Sequence, residues 1–194
     1  MLTLMMTMEE GYLRHRGELP PAERCEILLA GMARGDSAAF ESFYRATDRT
    51  IYAYALSLTR NHHDAQDVMM ETYIRLRQGA GSYQAQGKPM AWVFSVARNT
   101  AMSHLRTAAR EQARETLPEE AMPPLEESSL ERLVLKTALE ELEETEREIV
   151  MLHAVSGLRH REIGDVLGLP LGTVLSKYTR GLAKLRKKLE EKEV

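Results

Sequence analysis

Apolar residues recur every three or four positions through almost the whole chain, and this spacing constrains the fold more than any other feature. In residues 37–59 and 64–78 the apolar positions fall on one face of a helix. No run alternates apolar and polar residues for more than a few positions, as a half-buried strand requires. The sequence therefore predicts an all-α protein, with helices in its first half at 23–33, 37–59, about 64–78 and about 89–110.

The composition changes abruptly at residues 111–128, which hold three prolines, six glutamates and few apolar residues. Such a segment is typical of an extended, solvated linker. A helical stripe of apolar residues resumes after it, and Thr145 followed by Glu148 has the form of a capping box that starts a helix. We therefore predict a helical bundle at 22–110, a flexible acidic linker at 111–128 and a four-helix C-terminal domain at 129–190.

The net charge of −3 conceals an uneven distribution, because the segment from Leu171 to Lys188 carries six basic residues and no acidic one. Gly168 can end the preceding helix in the left-handed conformation, and Pro170 prevents its continuation. Two short helices across a tight turn, the second of them basic, are typical of a helix-turn-helix that places its second helix in the major groove of DNA. The alternative is a merely solvated basic helix, but the preceding helix and turn favour DNA.

Several functional classes find no support in the sequence. It contains no phosphate-binding loop, no nucleophile elbow and no dinucleotide fingerprint, so we expect neither an enzyme nor a cofactor. No apolar run approaches the roughly 20 residues of a membrane span, and the first residues lack the pattern of a signal peptide, so we expect a cytoplasmic protein. Cys25 alone excludes an internal disulfide and is expected to be a packed, inert thiol. We expect no metal site, because ligand spacing is lacking around the histidines His62, His63, His153 and His160.

A specific pattern runs through the helix-turn-helix segment: Glu162, Ile163, Leu167, Gly168, Gly172, Thr173, Val174, Ser176, Arg180, Leu185 and Arg186. This pattern resembles the promoter-binding fourth region of bacterial sigma factors of the small extracytoplasmic-function (ECF) class. The resemblance implies that the second helix binds the minus-thirty-five element through Thr173, Ser176, Lys177, Thr179, Arg180 and Lys184. Three positions depart from the family pattern. Tyr178 replaces a usual aliphatic residue and is expected still to pack. Leu175 stands where a basic side chain is usual, and Arg159 stands where a serine or threonine caps the first helix.

The predicted helix at 64–78 has a side on which Asp67 and Glu71 lie beside Met70 and Ile74. Carboxylates next to exposed apolar groups suit a protein partner, although both apolar residues could instead belong to the core. The helix resembles the ECF helix that docks on the clamp helices of the largest RNA polymerase subunit, with Met70 in place of the usual glutamine. The polymerase-binding residues that this resemblance implies are Asp64, Asp67, Met70, Glu71 and Ile74.

The helix from Pro89 onward places Trp92, Val96, Asn99, Ser103 and Arg106 along one side. It resembles the promoter-melting helix of the ECF class, in which an asparagine and the preceding loop, here about 79–88, hold a base flipped out of the minus-ten element. The minus-ten contacts implied here are Tyr83, Arg98, Asn99 and Arg106. For Trp92 we favour a role as a core anchor.

Together the two resemblances predict a sigma factor that binds core RNA polymerase and both duplex and melted promoter DNA, with its acidic linker directed toward the active-site channel. The alternative is a stand-alone helix-turn-helix regulator whose N-terminal domain dimerises or senses a ligand, and which binds a palindromic operator without polymerase. The sequence leaves open whether an anti-sigma factor is a further partner.

Overall fold

The computed structural model describes residues 21–112 and 138–191, and every regular element within these ranges is helical. The first half contains α1 (Ala22–Ala33), α2 (Ser37–Thr59), α3 (His62–Gly79), a 3₁₀ turn (Ala80–Ser82) and α4 (Pro89–Gln112). The second half contains α5 (Glu144–Ser156), α6 (His160–Leu167) and α7 (Leu171–Glu191). None of these helices is long and apolar enough to cross a membrane. The predicted linker and the start of the predicted four-helix domain lie largely outside the described residues.

Local capping fixes the start of two helices in the first half. The Asp36 carboxylate accepts the backbone N–H groups of residues 38 and 39, so α2 begins at Ser37 as predicted. The Asn61 side chain accepts the N–H groups of residues 63 and 64, so α3 begins two residues before the predicted start. Both helices therefore begin where a side-chain oxygen satisfies backbone donors that have no partner within the helix.

The predicted capping box in the second half is wrong. Helix α5 begins at Glu144, so Thr145 lies inside the first turn and does not cap it. The carboxylate of Glu148 does not reach back to the start of the helix, because it is buried and accepts hydrogen bonds from Tyr54 and Arg98. A local sequence motif could not predict these two partners, which lie in the other half of the chain.

The N-terminal bundle is built around α2, which packs against α1, α3 and α4. Phe43, Ile51 and Tyr54 of α2 are fully buried, and Tyr54 meets Phe94 of α4 edge to face at 5.2 Å between ring centroids. Cys25 is also buried in this core, and burial raises the pKa of its thiol to about 11. The thiol is therefore protonated at neutral pH, which agrees with the expected inert role.

The two halves pack against each other, α5 on α2 and α6 on α4. Buried residues of the second half, including Ile149, Leu152 and Ile163, belong to the same hydrophobic cluster as the core of the bundle. Polar contacts cross the same boundary, among them a 3.1 Å ion pair between Lys88 Nζ and Asp165 Oδ2. Within the described residues, the segments predicted to bind promoter DNA in both halves thus lie on one packed unit.

Candidate nucleic-acid interface

The angle between α6 and α7 depends on two glycines. Gly168 ends α6 with φ of +67°, a conformation that glycine adopts at low cost. The next N–H, of Leu169, donates to the Gly164 carbonyl at 3.0 Å. A Cβ on Gly164 would lie 2.8 Å from the Leu169 carbonyl oxygen, so only glycine permits this close approach. Helix α7 then starts directly after Pro170, which gives the predicted helix-turn-helix.

The N-terminus of α6 lacks the serine or threonine cap, and Glu162 supplies a different contact there. Its carboxylate accepts the backbone N–H of Arg159 at 2.8 Å. This is one half of a capping box, and it satisfies a backbone donor at the helix start. The other half, a side-chain acceptor at position 159, is missing because arginine has no acceptor.

Helix α7 has a buried side and an exposed side. Val174, Gly181 and Leu185 are buried, and Gly181 lets the helix approach α5 so closely that a Cβ there would lie 3.2 Å from a Val150 methyl group. Of the predicted minus-thirty-five contacts, four are exposed: Ser176, Thr179, Arg180 and Lys184. The other two, Thr173 and Lys177, are half-buried.

Both predicted lysine contacts are engaged within the protein. Lys177 Nζ lies 2.9 Å from Glu143 Oε1, and Lys184 Nζ lies 2.6 Å from Glu146 Oε2. Burial of Glu146 would raise the pKa of its carboxyl group, but the hydrogen bond and the charge of Lys184 outweigh burial, and its pKa is lowered. Arg180, by contrast, donates its Nε to the Ser176 carbonyl of its own helix and stays exposed. Lys184 therefore binds the buried carboxylate directly, whereas Arg180 adds only its charge to the lowering of that pKa.

Three rings pack together where α5, α6 and α7 meet. His160 lies with its ring centroid 4.7 Å from that of His153 and 4.6 Å from that of Tyr178. Its Nε2 is buried and has no hydrogen-bond partner among the described residues. The pKa of His160 is lowered, first by burial and second by the charge of His153.

This depressed pKa predicts a loss of stability in mild acid. The unfolded chain binds a proton near the ordinary histidine pKa of 6.5, whereas the folded chain resists it, so the free energy of unfolding falls as the pH drops through that value. His160→Phe keeps the ring packing and removes the titration. We expect the midpoint of urea unfolding to fall less for His160→Phe than for the unsubstituted chain between pH 7.5 and pH 5.5. Equal falls of the urea midpoint in the two proteins would show that His160 does not cause the loss of stability.

Met70 and Ile74 of α3 are exposed, with 52% and 55% of their surface accessible, so the alternative that they belong to the core is wrong. Glu71 forms an ion pair with Arg75 on the same helix, and Asp67 lies 3.4 Å from His63. The fifth predicted residue, Asp64, is half-buried and lies 3.2 Å from His104 Nε2 of α4. Helix α3 thus presents two apolar side chains flanked by carboxylates.

An open groove of about 460 Å³ lies between the end of α3 and the side of α4. It is lined by Arg75, Gln78, Gly79, Ser82, Trp92, Val96 and Asn99. Trp92 is half-buried and also borders a second groove that contains Tyr83, whose ring centroid lies 5.2 Å from its own. One side of the Trp92 ring packs on the core, as predicted, but its other side forms a wall of the groove.

The loop beside these grooves is fastened to α1 by one carboxylate. Glu26 Oε1 accepts the Tyr83 hydroxyl at 3.1 Å and the Gly87 N–H at 2.9 Å. Sequence reasoning did not identify Glu26, because it lies some 60 residues before its partners and belongs to no motif. No local signal could have indicated it.

Arg98 does not face the groove with Asn99, although the two are adjacent on α4. Its Nε lies 2.8 Å from Glu148 Oε1, the same oxygen that accepts the buried Tyr54 hydroxyl at 2.7 Å. Burial alone would lower the pKa of Arg98, but the hydrogen bond and charge of Glu148 outweigh it, and the pKa is raised. Arg106 lies two turns beyond Asn99 and is exposed. Of the four predicted minus-ten contacts, Asn99 lines the first groove, Tyr83 lines the second, and Arg98 binds the C-terminal half.

Two family models match the chain, the Sigma-70 region 2 model over residues 43–111 and the Sigma-70 region 4 model over residues 132–185. The ECF RNA polymerase sigma factor SigE of Mycolicibacterium smegmatis is 34% identical over 166 residues, which cover 79% of this chain and 64% of that relative. The chain thus spans less than two thirds of the SigE length. SigL of Mycobacterium tuberculosis is 28% identical over 169 residues, covering 84% of this chain and 96% of SigL.

Two solved structures share the fold. The sigma factor RpoE from Bartonella quintana, crystallised with the anti-sigma factor NepR, superposes with a TM-score of 0.66 at 25% identity. The match covers 78% of this chain and 96% of RpoE. CnrH, solved with the cytosolic domain of CnrY, superposes with a TM-score of 0.65 at 23% identity, covering 87% of this chain and 98% of CnrH.

Proposed function

The chain belongs to the ECF group of RNA polymerase sigma factors, which are promoter-specificity subunits, and we propose that it binds core polymerase, recognises and melts promoter DNA, and directs transcription initiation. The observation that carries this proposal is the match of two sigma-70 regions in order, 43–111 and 132–185, on one helical fold. The chain acts as an initiation factor and not as a catalyst, in the cytoplasm, where polymerase and chromosome meet. We place its domain boundaries at 22–110 and 129–190.

Core polymerase docks on the exposed strip of α3. The contact residues are Asp64, Asp67, Met70, Glu71 and Ile74. The exposure of Met70 and Ile74 supports this assignment, because a partner gains affinity by covering apolar side chains that water otherwise surrounds. The flanking carboxylates suit a basic surface on the partner.

The minus-ten element is opened at the groove beside Trp92. The contact residues are Tyr83, Arg98, Asn99 and Arg106. A base that has left the duplex needs an amide for its edge, an aromatic wall and cations for its phosphate, and this region of α4 supplies all three. Because Glu148 binds Arg98, this arginine reaches a phosphate only after the two halves of the chain move apart.

The minus-thirty-five element is bound by α7. The contact residues are Thr173, Ser176, Lys177, Thr179, Arg180 and Lys184. Lys177 and Lys184 reach DNA by exchanging a carboxylate for a phosphate, whereas Arg180 is exposed without such an exchange. Because RpoE was crystallised with the anti-sigma factor NepR, we propose that an anti-sigma factor also binds this chain.

Run-off transcription tests the function. The purified chain is combined with bacterial core RNA polymerase and fragmented genomic DNA of the source cell, and transcripts are mapped to their start sites. We expect discrete starts that depend on the chain and share two DNA elements upstream. Specific binding to a palindromic site without polymerase, and no chain-dependent transcript, would contradict the proposal.

Arg180→Ala is expected to lower promoter occupancy by the polymerase complex about tenfold, the order expected when one base or phosphate contact is lost. Binding to core polymerase should not change, because α7 lies outside the docking strip. Occupancy is measured by gel shift, and polymerase affinity by fluorescence anisotropy. Arg45→Ala removes another exposed arginine, on α2, and serves as the control. A parallel loss of both affinities in Arg180→Ala would refute this division between the domains.

A further inference from the structure

The exposed face of α7 carries two adjacent rows of side chains, each with a spacing of four residues. One row is polar or basic beyond its first residue and consists of Gly172, Ser176, Arg180 and Lys184. The other, which we call the methyl row, consists of residues whose side chains end in or carry methyl groups: Leu171, Leu175, Thr179 and Ala183. All eight residues are exposed. Residues four apart lie above one another on a helix, so each row forms a continuous stripe.

Packing among the described residues leaves much of the two leucines uncovered. Leu171 and Leu175 expose 38% and 44% of their surface, whereas the buried stripe of α7 is formed by other residues. The Thr179 hydroxyl donates to the Leu175 carbonyl at 2.9 Å, which directs its polar group to the backbone and leaves its methyl group for contact. The methyl row is therefore an apolar stripe exposed on a helix surface that otherwise carries polar and basic groups.

The charge around this stripe indicates what covers it. No acidic residue occurs between Val166 and Leu189, and Arg180 is exposed in the neighbouring row. A partner that suits this surface is anionic overall and also offers apolar groups in a line. Duplex DNA fits this description, because each thymine presents a C5-methyl group in the major groove, between the phosphates of the two strands.

The spacing also fits. The Cα atoms of Leu171 and Leu175 are separated by roughly 6 Å along the helix axis, which is about two base steps of roughly 3.4 Å each. Both leucines lie in the first two turns of α7, the part of a recognition helix that contacts base edges.

We propose that the methyl row contacts the C5-methyl groups of neighbouring thymines in the minus-thirty-five element, with Leu175 at its centre. This inference rests on the proposed function and deepens it, because it names an apolar determinant of specificity beside the polar and charged contacts. Leu175 then selects thymine by excluding water from a methyl group, and no hydrogen bond to the base is required.

The test uses the complex of core polymerase with the full chain on promoters whose minus-thirty-five element is randomised. We expect thymine to be selected at one or more positions. Each selected thymine is then replaced by deoxyuridine, which removes only the methyl group. We expect occupancy to fall about fourfold per methyl group, as ~0.8 kcal/mol for one buried CH₂ group implies. At the position that Leu175 contacts, Leu175→Ala should use thymine and deoxyuridine templates equally.

The control is Ile27→Ala, which shortens an exposed apolar side chain on α1 and should keep the full preference for thymine over deoxyuridine. Absence of selected thymine, equal use of deoxyuridine by the unsubstituted chain, or an unchanged preference in Leu175→Ala would each overturn the inference. A chain that dimerises in solution and becomes monomeric on Leu175→Ala would also overturn it, because the stripe would then be a protein interface. Failure of the proposed function looks different, since no template would then support chain-dependent transcription.

Discussion

Replacing Ile74 by lysine is expected to weaken binding of the chain to core RNA polymerase about a hundredfold, the effect of losing one well-packed apolar contact at the centre of an interface and burying a charge there. Ile74 is exposed on α3, so the substitution adds a charge to a surface and leaves the core of the bundle intact. The temperature of unfolding should therefore stay the same. Affinity is measured by titrating labelled chain with core polymerase.

The matched control is Ile27→Lys. Ile27 is 68% exposed on α1, outside the docking strip, so the same chemical change there should leave polymerase affinity unaltered. Equal losses in the two variants would show that added positive charge, and not position, weakens the complex. Unchanged affinity in Ile74→Lys would remove this part of α3 from the interface.

Replacing Glu148 by alanine is expected to lower the free energy of unfolding by about 2–3 kcal/mol, somewhat less than for a fully buried ion pair, because the Arg98 side chain is partly exposed. The substitution leaves the buried hydroxyl of Tyr54 without its acceptor and Arg98 without its anionic partner. Since both contacts join the two halves of the chain, the halves should also separate. Calorimetry should show two unfolding transitions in place of one, and small-angle scattering a larger radius of gyration.

Two further variants sharpen this test. Glu148→Gln keeps an acceptor for Tyr54 while removing the charge, so its effect should be smaller than that of alanine. Glu41→Ala breaks the exposed ion pair with Arg45 and should cost less than about 1 kcal/mol. A single transition and an unchanged radius in Glu148→Ala would mean that apolar contacts alone hold the halves together.

The sequence was sufficient where a structural feature depends on neighbouring residues. The start of α2 at Ser37 follows from the break in the helical pattern at Gly35 and Asp36, and the turn before α7 follows from Gly168 and Pro170. The exposure of Met70 and Ile74 could be predicted only as one of two alternatives, because helical spacing shows which residues share a face but not whether another element covers that face.

The sequence was insufficient where a charged side chain meets a partner far along the chain. The capping-box interpretation of Glu148 failed because Tyr54 and Arg98 compete for the same carboxylate, and tertiary burial favours them. In the same way, nothing near Lys184 indicates the buried Glu146 that binds it. Helical periodicity predicts which side chains point toward the core. The hydrogen-bond or ion-pair partner of such a side chain depends on how the helices pack.

The attachment of the 83–88 loop to Glu26 has a consequence for how a base is received. A binding loop that is already ordered loses little further conformational entropy when a ligand binds to it. The entropy of the loop is instead lost on folding, because the Glu26 carboxylate of α1 accepts hydrogen bonds from the Tyr83 hydroxyl and the Gly87 N–H. In the proposed minus-ten site, Glu26 would thus influence how tightly a nucleotide is held without touching it.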